Sequence, residues 1–191
     1  MKIFSLYCDN SRISATNAIK TVAKLELHKR NFTRIVESNQ GIIKSLCNAY
    51  YTSYEDRKDV FQDIVLQLWK SFETFRGESE ISTWIYRVSL NTILAKVRKE
   101  KRTINAESIS CSELTISNAM ADDDTELLTM VLQYLKGIDK AIVILYLEGY
   151  KNKEISQILN LTPTNVSTRL SRVKAELKSK FKNQHYEFKQ P

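Results

Sequence analysis

Apolar residues recur along most of the chain at the spacing of an α-helix, and segments with the alternating pattern of a β-strand are nearly absent. The most regular stretch runs from Arg57 to Phe75, where adjacent apolar residues recur in pairs four positions apart. Such pairs form one broad stripe along a helix, which predicts that this face is buried. Acids and amides fall on the opposite face of the same helix, namely Asp59, Gln62, Asp63 and Gln67.

The rest of the first hundred residues is also predicted to be helical. The apolar spacing indicates helices over residues 15–29, 31–51 and 84–101. The second of these helices is expected to break near Gly41. Gly77 marks the end of the most regular stretch, and Ser82 or Thr83 supplies a capping side chain for the helix that follows.

The pattern changes after the first hundred residues, where a segment rich in Ser, Asn, Ala and acids has no sustained periodicity and is predicted to be a flexible linker. Four more helices are then predicted over residues 126–136, 140–148, 153–159 and 163–182. Asp139, Asn152 and Thr162 are the predicted capping residues. Pro163 stands at a first helical position, where its missing N–H costs nothing.

These patterns predict an all-α protein with two small helical domains joined by a flexible linker. The predicted boundaries are an N-terminal extension at 1–25, a first domain at 26–102, the linker at 103–124, a second domain at 125–182 and a tail at 183–191. The fold of the extension is left open by its pattern.

Composition narrows the classes of function. The formal net charge of +7 favours a polyanionic partner, which could be nucleic acid, an anionic membrane surface or an acidic protein. The three cysteines and two histidines are widely separated, so no zinc site is expected. The four glycines are not clustered, which argues against a phosphate-binding loop, and no nucleophile–base pair can be assembled. We therefore expect no enzyme activity, no cofactor and no small-molecule substrate.

The longest apolar run extends from Ala141 to Leu147, far shorter than the roughly 20 residues that a membrane-spanning helix needs. The first eight residues are mildly apolar, but Asp9 and Asn10 end that run before the core of a signal peptide forms. We therefore expect a cytoplasmic protein without direct insertion into a membrane.

The strongest single motif is a helix-turn-helix over residues 152–177. Asn160 stands in the turn between the two helices, where a left-handed backbone is needed and asparagine tolerates it. The second helix is predicted to expose Thr164, Asn165, Thr168, Arg169 and Arg172, which suit contacts with base edges in the major groove. Lys153, Lys174, Lys178 and the two arginines are placed to meet phosphates. The alternative interpretation is an ordinary helical hairpin with solvated basic residues.

A second candidate DNA surface precedes the linker. Arg87, Asn91 and Arg98 fall on one stripe of a helix, and five cations lie between Lys96 and Arg102. Cations at a helix C-terminus are also favoured by the helix dipole, which is the alternative explanation for this run. The nearby aromatic residues Phe72 and Trp84 are predicted to belong to the core.

The order of these parts resembles the extracytoplasmic-function sigma factors, and the resemblance covers about Phe32 to Phe181. The segment D-V-F-Q-D-I-V-L-Q-L-W from Asp59 is similar to the family's polymerase-binding segment. The segment F-R-G-E-S-E-I-S-T-W-I-Y-R-V-S-L-N from Phe75 is similar to its promoter-melting segment. The chain departs from the family at Ala95, where an acid is frequent, and in its longer N-terminus.

The resemblance implies three groups of site residues. The contacts to the clamp of core RNA polymerase would come from Asp59, Gln62, Asp63 and Gln67. The contacts to the minus-ten element would come from Gly77, Glu78, Ser79, Ser82, Arg87, Asn91, Lys96 and Arg98. The contacts to the minus-thirty-five element would come from Lys153, Thr164, Asn165, Thr168, Arg169, Arg172 and Lys174.

The function that the resemblance implies is promoter-specific transcription initiation, with core RNA polymerase, promoter DNA and an anti-sigma factor as partners. Two other functions stay open at the level of sequence. One is a self-sufficient helix-turn-helix repressor or activator, which would leave residues 57–102 without a role. The other is an all-helical adaptor without a DNA role, which would leave the charges of Arg169 and Arg172 idle.

Overall fold

The computed structural model describes residues 3–106 and 123–181, and the side chains of residues 25–102 and 128–180. The described part consists of seven α-helices without strands: α1 Ile3–Tyr50, α2 Tyr54–Phe72, α3 Ile81–Ala106, α4 Asp123–Tyr134, α5 Gly137–Leu147, α6 Asn152–Leu159 and α7 Pro163–Phe181. The predicted all-α class is therefore confirmed.

The first helix is longer than predicted. The helices predicted at 15–29 and 31–51 form one helix, α1, which ends at Tyr50, and the expected break near Gly41 is wrong. A single glycine inside a helix costs only about 1 kcal/mol relative to alanine, which is too little to end it. The chain divides into two units, Met1–Gln40 and Gly41–Pro191. Within the first unit, Lys29 forms an ion pair with Glu26 at 3.2 Å on the surface of α1.

Helices α2 and α3 pack against each other through the apolar stripe that the sequence predicted. Val60, Ile64 and Leu68 of α2 are fully buried at offsets of four residues. Trp84 of α3 is 3% exposed, and its ring lies 4.9 Å from that of Phe75 and 6.2 Å from that of Phe72. The prediction that Trp84 belongs to the core is confirmed, whereas Phe72 is half-buried.

The beginnings of three helices differ from the predictions. Helix α2 starts after Ser53, which has extended backbone, and α3 starts at Ile81, so Ser82 lies inside the helix. Asp139 was predicted to cap α5, but the chain enters that helix after the extended residue Lys136. Asp139 therefore lies in the first turn of α5, where an acid is favoured by the helix dipole.

The cap of α6 is also displaced by one residue. Lys151 takes the capping position, and its backbone N–H donates to the carboxylate of Glu154 at 2.7 Å. Asn152 is therefore the first residue of the helix and not its cap. The cap of α7 is as predicted, because Thr162 Oγ1 accepts a hydrogen bond from the backbone N–H of Asn165 at 3.2 Å.

The helices on the two sides of the predicted linker pack together in the second unit. The hydroxyl of Tyr50 donates to the carbonyl of Gly137 at 2.9 Å, and Lys140 Nζ donates to the carbonyl of Ala49 at 2.6 Å. The rings of Tyr86 and Tyr150 also meet edge to face, 5.7 Å apart. Helix α3 also contacts both α5 and α6. The predicted linker lies outside the described residues except at its two ends, which are helical.

Candidate nucleic-acid interface

The turn of the helix-turn-helix has the geometry that the sequence predicted. Asn160 has φ 54° and ψ 49°, in the left-handed region, and is the only residue other than glycine with positive φ among those described. Ser156 is buried, and the N–H of Leu161 donates to its carbonyl at 2.9 Å. Ile155, Ile158 and Val166 close the core beneath the turn. This packing fixes the direction in which α7 leaves the turn.

The first two turns of α7 present a polar surface. Thr164, Asn165 and Thr168 are exposed, and Arg172 follows on the next turn, also exposed. Short polar side chains at the start of a second helix, followed by arginine, suit entry into the major groove. Lys153 is exposed on α6, and Lys174 is exposed on α7 with its Nζ 4.0 Å from the centre of the Tyr146 ring.

Arg169, a predicted site residue of α7, contacts two other side chains of the protein. Its Nη1 donates to Asp139 Oδ1 at 2.8 Å, and its Nε donates to Asn165 Oδ1 at 2.9 Å. The side chains of Arg169 and Asp139 are 38% and 37% exposed. The prediction that Asp139 caps a helix missed this contact, because it joins residues 30 positions apart.

A second surface lies on α2. Asp59, Gln62 and Gln67 are exposed, and Asp63 forms an ion pair with Lys96 of α3 at 3.1 Å. The four residues share one face of the helix, as the periodicity predicted. Leu66 stands among them and is 49% exposed. Sequence reasoning missed this residue, although a leucine three positions after Asp63 was a visible signal.

A third surface is a cavity of about 740 Å³ at the start of α3. Four residues predicted for the minus-ten element line it, namely Glu78, Ser79, Arg87 and Asn91. Arg76 and Trp84 also line the cavity and were not among the predicted site residues. Gln157 of α6 lines the cavity as well, so the first helix of the helix-turn-helix borders the segment that leads into α3.

The remaining residues predicted for the minus-ten element do not line this cavity. Gly77 is exposed with φ 73°, a conformation that favours glycine, and Ser82 is half-buried. Lys96 points towards Asp63 of α2, away from the stripe of Arg87 and Asn91. Arg98 is exposed and donates from Nε to the carbonyl of Leu94 at 3.0 Å.

Two absences hold for the described part of the chain. No group of three or more His, Cys, Asp or Glu side chains there could hold a metal ion. No helix among the same residues has the length and apolar character to cross a membrane.

Burial raises the pKa of Tyr86, with Glu148 as the second cause, so this phenol stays protonated beside α6.

An all-α chain with a helix-turn-helix and an exposed polar and basic second helix belongs to the class of helical DNA-binding proteins. The family described as Sigma-70 region 2 matches residues 35–103, and the family described as Sigma-70, region 4 matches residues 125–177. The matched segments together span well over half of the chain. The chain therefore belongs to the sigma-70 family of RNA polymerase sigma factors, in its extracytoplasmic-function branch.

Curated relatives and solved structures agree with this family. The chain is 26% identical over 167 residues to the ECF RNA polymerase sigma-E factor of Haemophilus influenzae, covering 80% of this chain and 88% of that protein. It is also 26% identical over 167 residues to the ECF RNA polymerase sigma factor SigW of Bacillus subtilis, covering 80% and 89%. Its fold is similar to the sigma factor RpoE in complex with the anti-sigma factor NepR from Bartonella quintana, with a TM-score of 0.68, 16% identity and coverage of 81% and 99%.

Proposed function

We propose that this sigma factor directs promoter-specific initiation through the three surfaces described above, each with a different partner. The exposed face of α2 binds core RNA polymerase. The cavity at the start of α3 takes the minus-ten element, and the first turns of α7 read the minus-thirty-five element. The polymerase carries out the chemistry, so the chain itself makes and breaks no bond.

The observation that carries the proposal is the exposed surface of α7 on a fixed helix-turn-helix. Thr164, Asn165, Thr168 and Arg172 are all accessible at the end of the motif that enters the major groove in other helix-turn-helix proteins. Basic side chains on the same helix meet phosphates, so promoter binding is expected to weaken steeply as salt rises.

The face of α2 supports the assignment to polymerase because it is polar with one apolar residue in its middle. Leu66 is flanked by Asp59, Gln62, Asp63 and Gln67 on a face that no described part of the second unit buries. Protein interfaces commonly combine a desolvated apolar anchor with a polar rim. The acids on this face require a partner surface that is basic or neutral.

The cellular location and the regulation of the chain follow from these partners. Polymerase and DNA are in the bacterial cytoplasm, so the sigma factor acts there. The RpoE structure that it resembles is a complex with the anti-sigma factor NepR. We propose that an anti-sigma factor also regulates this chain.

The experiment that tests the proposal has two steps. Purified chain is used to pull down core RNA polymerase, and the reconstituted holoenzyme is then assayed by run-off transcription from the promoter upstream of its own gene. We expect binding to core enzyme and initiation at a defined start site. Failure to bind core enzyme, combined with tight binding to duplex DNA alone, would make the chain a conventional helix-turn-helix regulator.

Two charge variants test whether the α2 face binds core enzyme. Asp59→Arg is expected to weaken binding to core enzyme by about tenfold or more, because a cation replaces an exposed acid on the α2 face. Glu37→Arg makes the same change in charge at an exposed position of α1 and is expected to leave that affinity unchanged. An unchanged affinity in Asp59→Arg would remove the α2 face from the interface, and equal losses in both variants would show that the effect of the charge is not specific to α2.

A further inference from the structure

The hydrogen bonds at the start of α7 form a chain of three side chains from two helices. Asp139 of α5 accepts from Arg169, and Arg169 donates through a second nitrogen to Asn165. Asn165 is exposed on the surface that the proposed function assigns to base reading, whereas Arg169 is half-buried. These hydrogen bonds restrict the orientation of the Asn165 amide.

The contact with Arg169 determines which way the amide group faces. A guanidinium group has only N–H donors, so the amide atom that faces Arg169 Nε at 2.9 Å must be the oxygen Oδ1. The NH₂ group of Asn165 then lies on the other side of the amide. The usual ambiguity between the oxygen and nitrogen of an asparagine side chain is thereby removed by chemistry.

The orientation of the amide decides which base edge it matches. Asparagine recognises adenine with two bonds, accepting from N6–H₂ through Oδ1 and donating to N7 through Nδ2. Here one acceptor position of Oδ1 is taken by Arg169, which turns the carbonyl oxygen towards Arg169 and the two N–H donors of Nδ2 away from it. Two donors match the acceptors of guanine, N7 and O6, or the O4 of thymine, and they repel the N6–H₂ donor of adenine.

Asp139 keeps this arrangement in place from outside α7. An arginine at i+4 from an asparagine has many rotamers, and the ion pair with Asp139 at 2.8 Å selects the one that also reaches Asn165. Arg169 uses Nη1 and Nε for these two contacts at the same time. A lysine has a single nitrogen at its tip and lacks this fork.

We infer that Asp139 and Arg169 are positioning residues that determine base specificity in the upstream promoter element, by fixing the amide of Asn165 as a donor. On the strand that it contacts, Asn165 is therefore expected to prefer guanine or thymine to adenine. This inference rests on the proposed function, because it assumes that α7 reads the minus-thirty-five element.

The test uses holoenzyme reconstituted from core polymerase and the full chain. It transcribes a library of promoters in which every position of the upstream element is randomised, and the enrichment of each base in the transcripts is measured. Asn165→Ala identifies the position that Asn165 reads, because the preference there disappears. In the wild type, we expect adenine to be disfavoured at that position.

Asp139→Asn is expected to reduce the penalty against adenine at that one position by about fivefold, with the preferences at other positions retained. Arg169→Lys is expected to give the same relaxation, which provides a second variant if the first unfolds. Asp139→Glu keeps the charge and is expected to restore most of the preference. Glu176→Gln removes one negative charge further along α7 and is expected to change no preference.

The outcomes separate the inference from the proposed function. A uniform loss of transcription from all promoters in Asp139→Asn, with unchanged base preferences, would overturn the positioning role while leaving the sigma function intact. An adenine preference at the Asn165 position in the wild type would also overturn it. Transcription that ignores the upstream sequence in the wild type would overturn the proposed function together with this inference.

Discussion

Replacing Lys140 by methionine is expected to abolish a pH dependence of stability that the burial of this lysine creates. Lys140 is 8% exposed, and its Nζ lies 2.6 Å from the carbonyl oxygen of Ala49 and 5.1 Å from the centre of the Tyr50 ring. Removal from water disfavours the ammonium form. Burial, with a smaller contribution from Lys136, lowers the pKa of Lys140 from 10.5 to about 8.

The size and the sign of the effect follow from proton linkage. Between pH 8 and 10.5 the unfolded chain binds more protons at this residue than the folded protein, so the free energy of unfolding rises with pH there. For these two pKa values, the gain between about pH 7 and about pH 9.5 is on the order of 2 kcal/mol. Methionine has a side chain of similar length without the charge, so the free energy of unfolding of the variant lacks this increase with pH.

The assay is urea unfolding of the wild type and of Lys140→Met at several pH values, followed by circular dichroism. The difference between the two proteins isolates Lys140 from other titrating groups. Burial raises the pKa of Cys47 to about 11, which makes the folded protein lose stability as pH rises through the upper part of this range, but it does so in both proteins.

The control is Lys178→Met, which removes an exposed lysine of α7. Its stability should follow that of the wild type at every pH. A constant difference between the wild type and Lys140→Met from about pH 7 to about pH 9.5 would refute the reasoning, because it would mean that Lys140 titrates alike in the folded and unfolded states.

Three further predictions concern packing, the turn and DNA binding. Ser89 is fully buried and its hydroxyl has no hydrogen-bond partner among the described residues, so Ser89→Ala should raise the free energy of unfolding by about 1 kcal/mol in urea titrations. Ser156→Ala, which removes a bond to the Lys153 carbonyl, should not raise it. Asn160→Val should lower the free energy of unfolding by about 1–2 kcal/mol, seen as a lower melting temperature, because the backbone at position 160 has positive φ. Asn160→Gly should cost little, and an equal loss of stability in the two variants would contradict this account. Arg172→Ala should lower the slope of log affinity against log salt by about 1 in promoter titrations with holoenzyme, and Lys58→Ala on α2 should leave that slope unchanged.

The sequence by itself determined the features that depend on a single helix. The stripe of Val60, Ile64 and Leu68 predicted which face of α2 is buried, because helical periodicity places those residues together whatever the partner is. Asn160 indicated its own left-handed conformation, because few other residues tolerate it. The exposure of Asp59, Asn165 and Arg172 followed from the same periodicity.

Only the tertiary structure decided which side chains meet across helices. The bond from Arg169 to Asp139, the ion pair of Lys96 with Asp63 and the approach of Gln157 to the cavity of α3 join residues that are far apart in the chain. Periodicity predicts the face on which a residue lies, but the direction of a long side chain is selected by the neighbouring helix against which it packs. The packing of α5 on α7, of α2 on α3 and of α6 on α3 therefore brought these residues together.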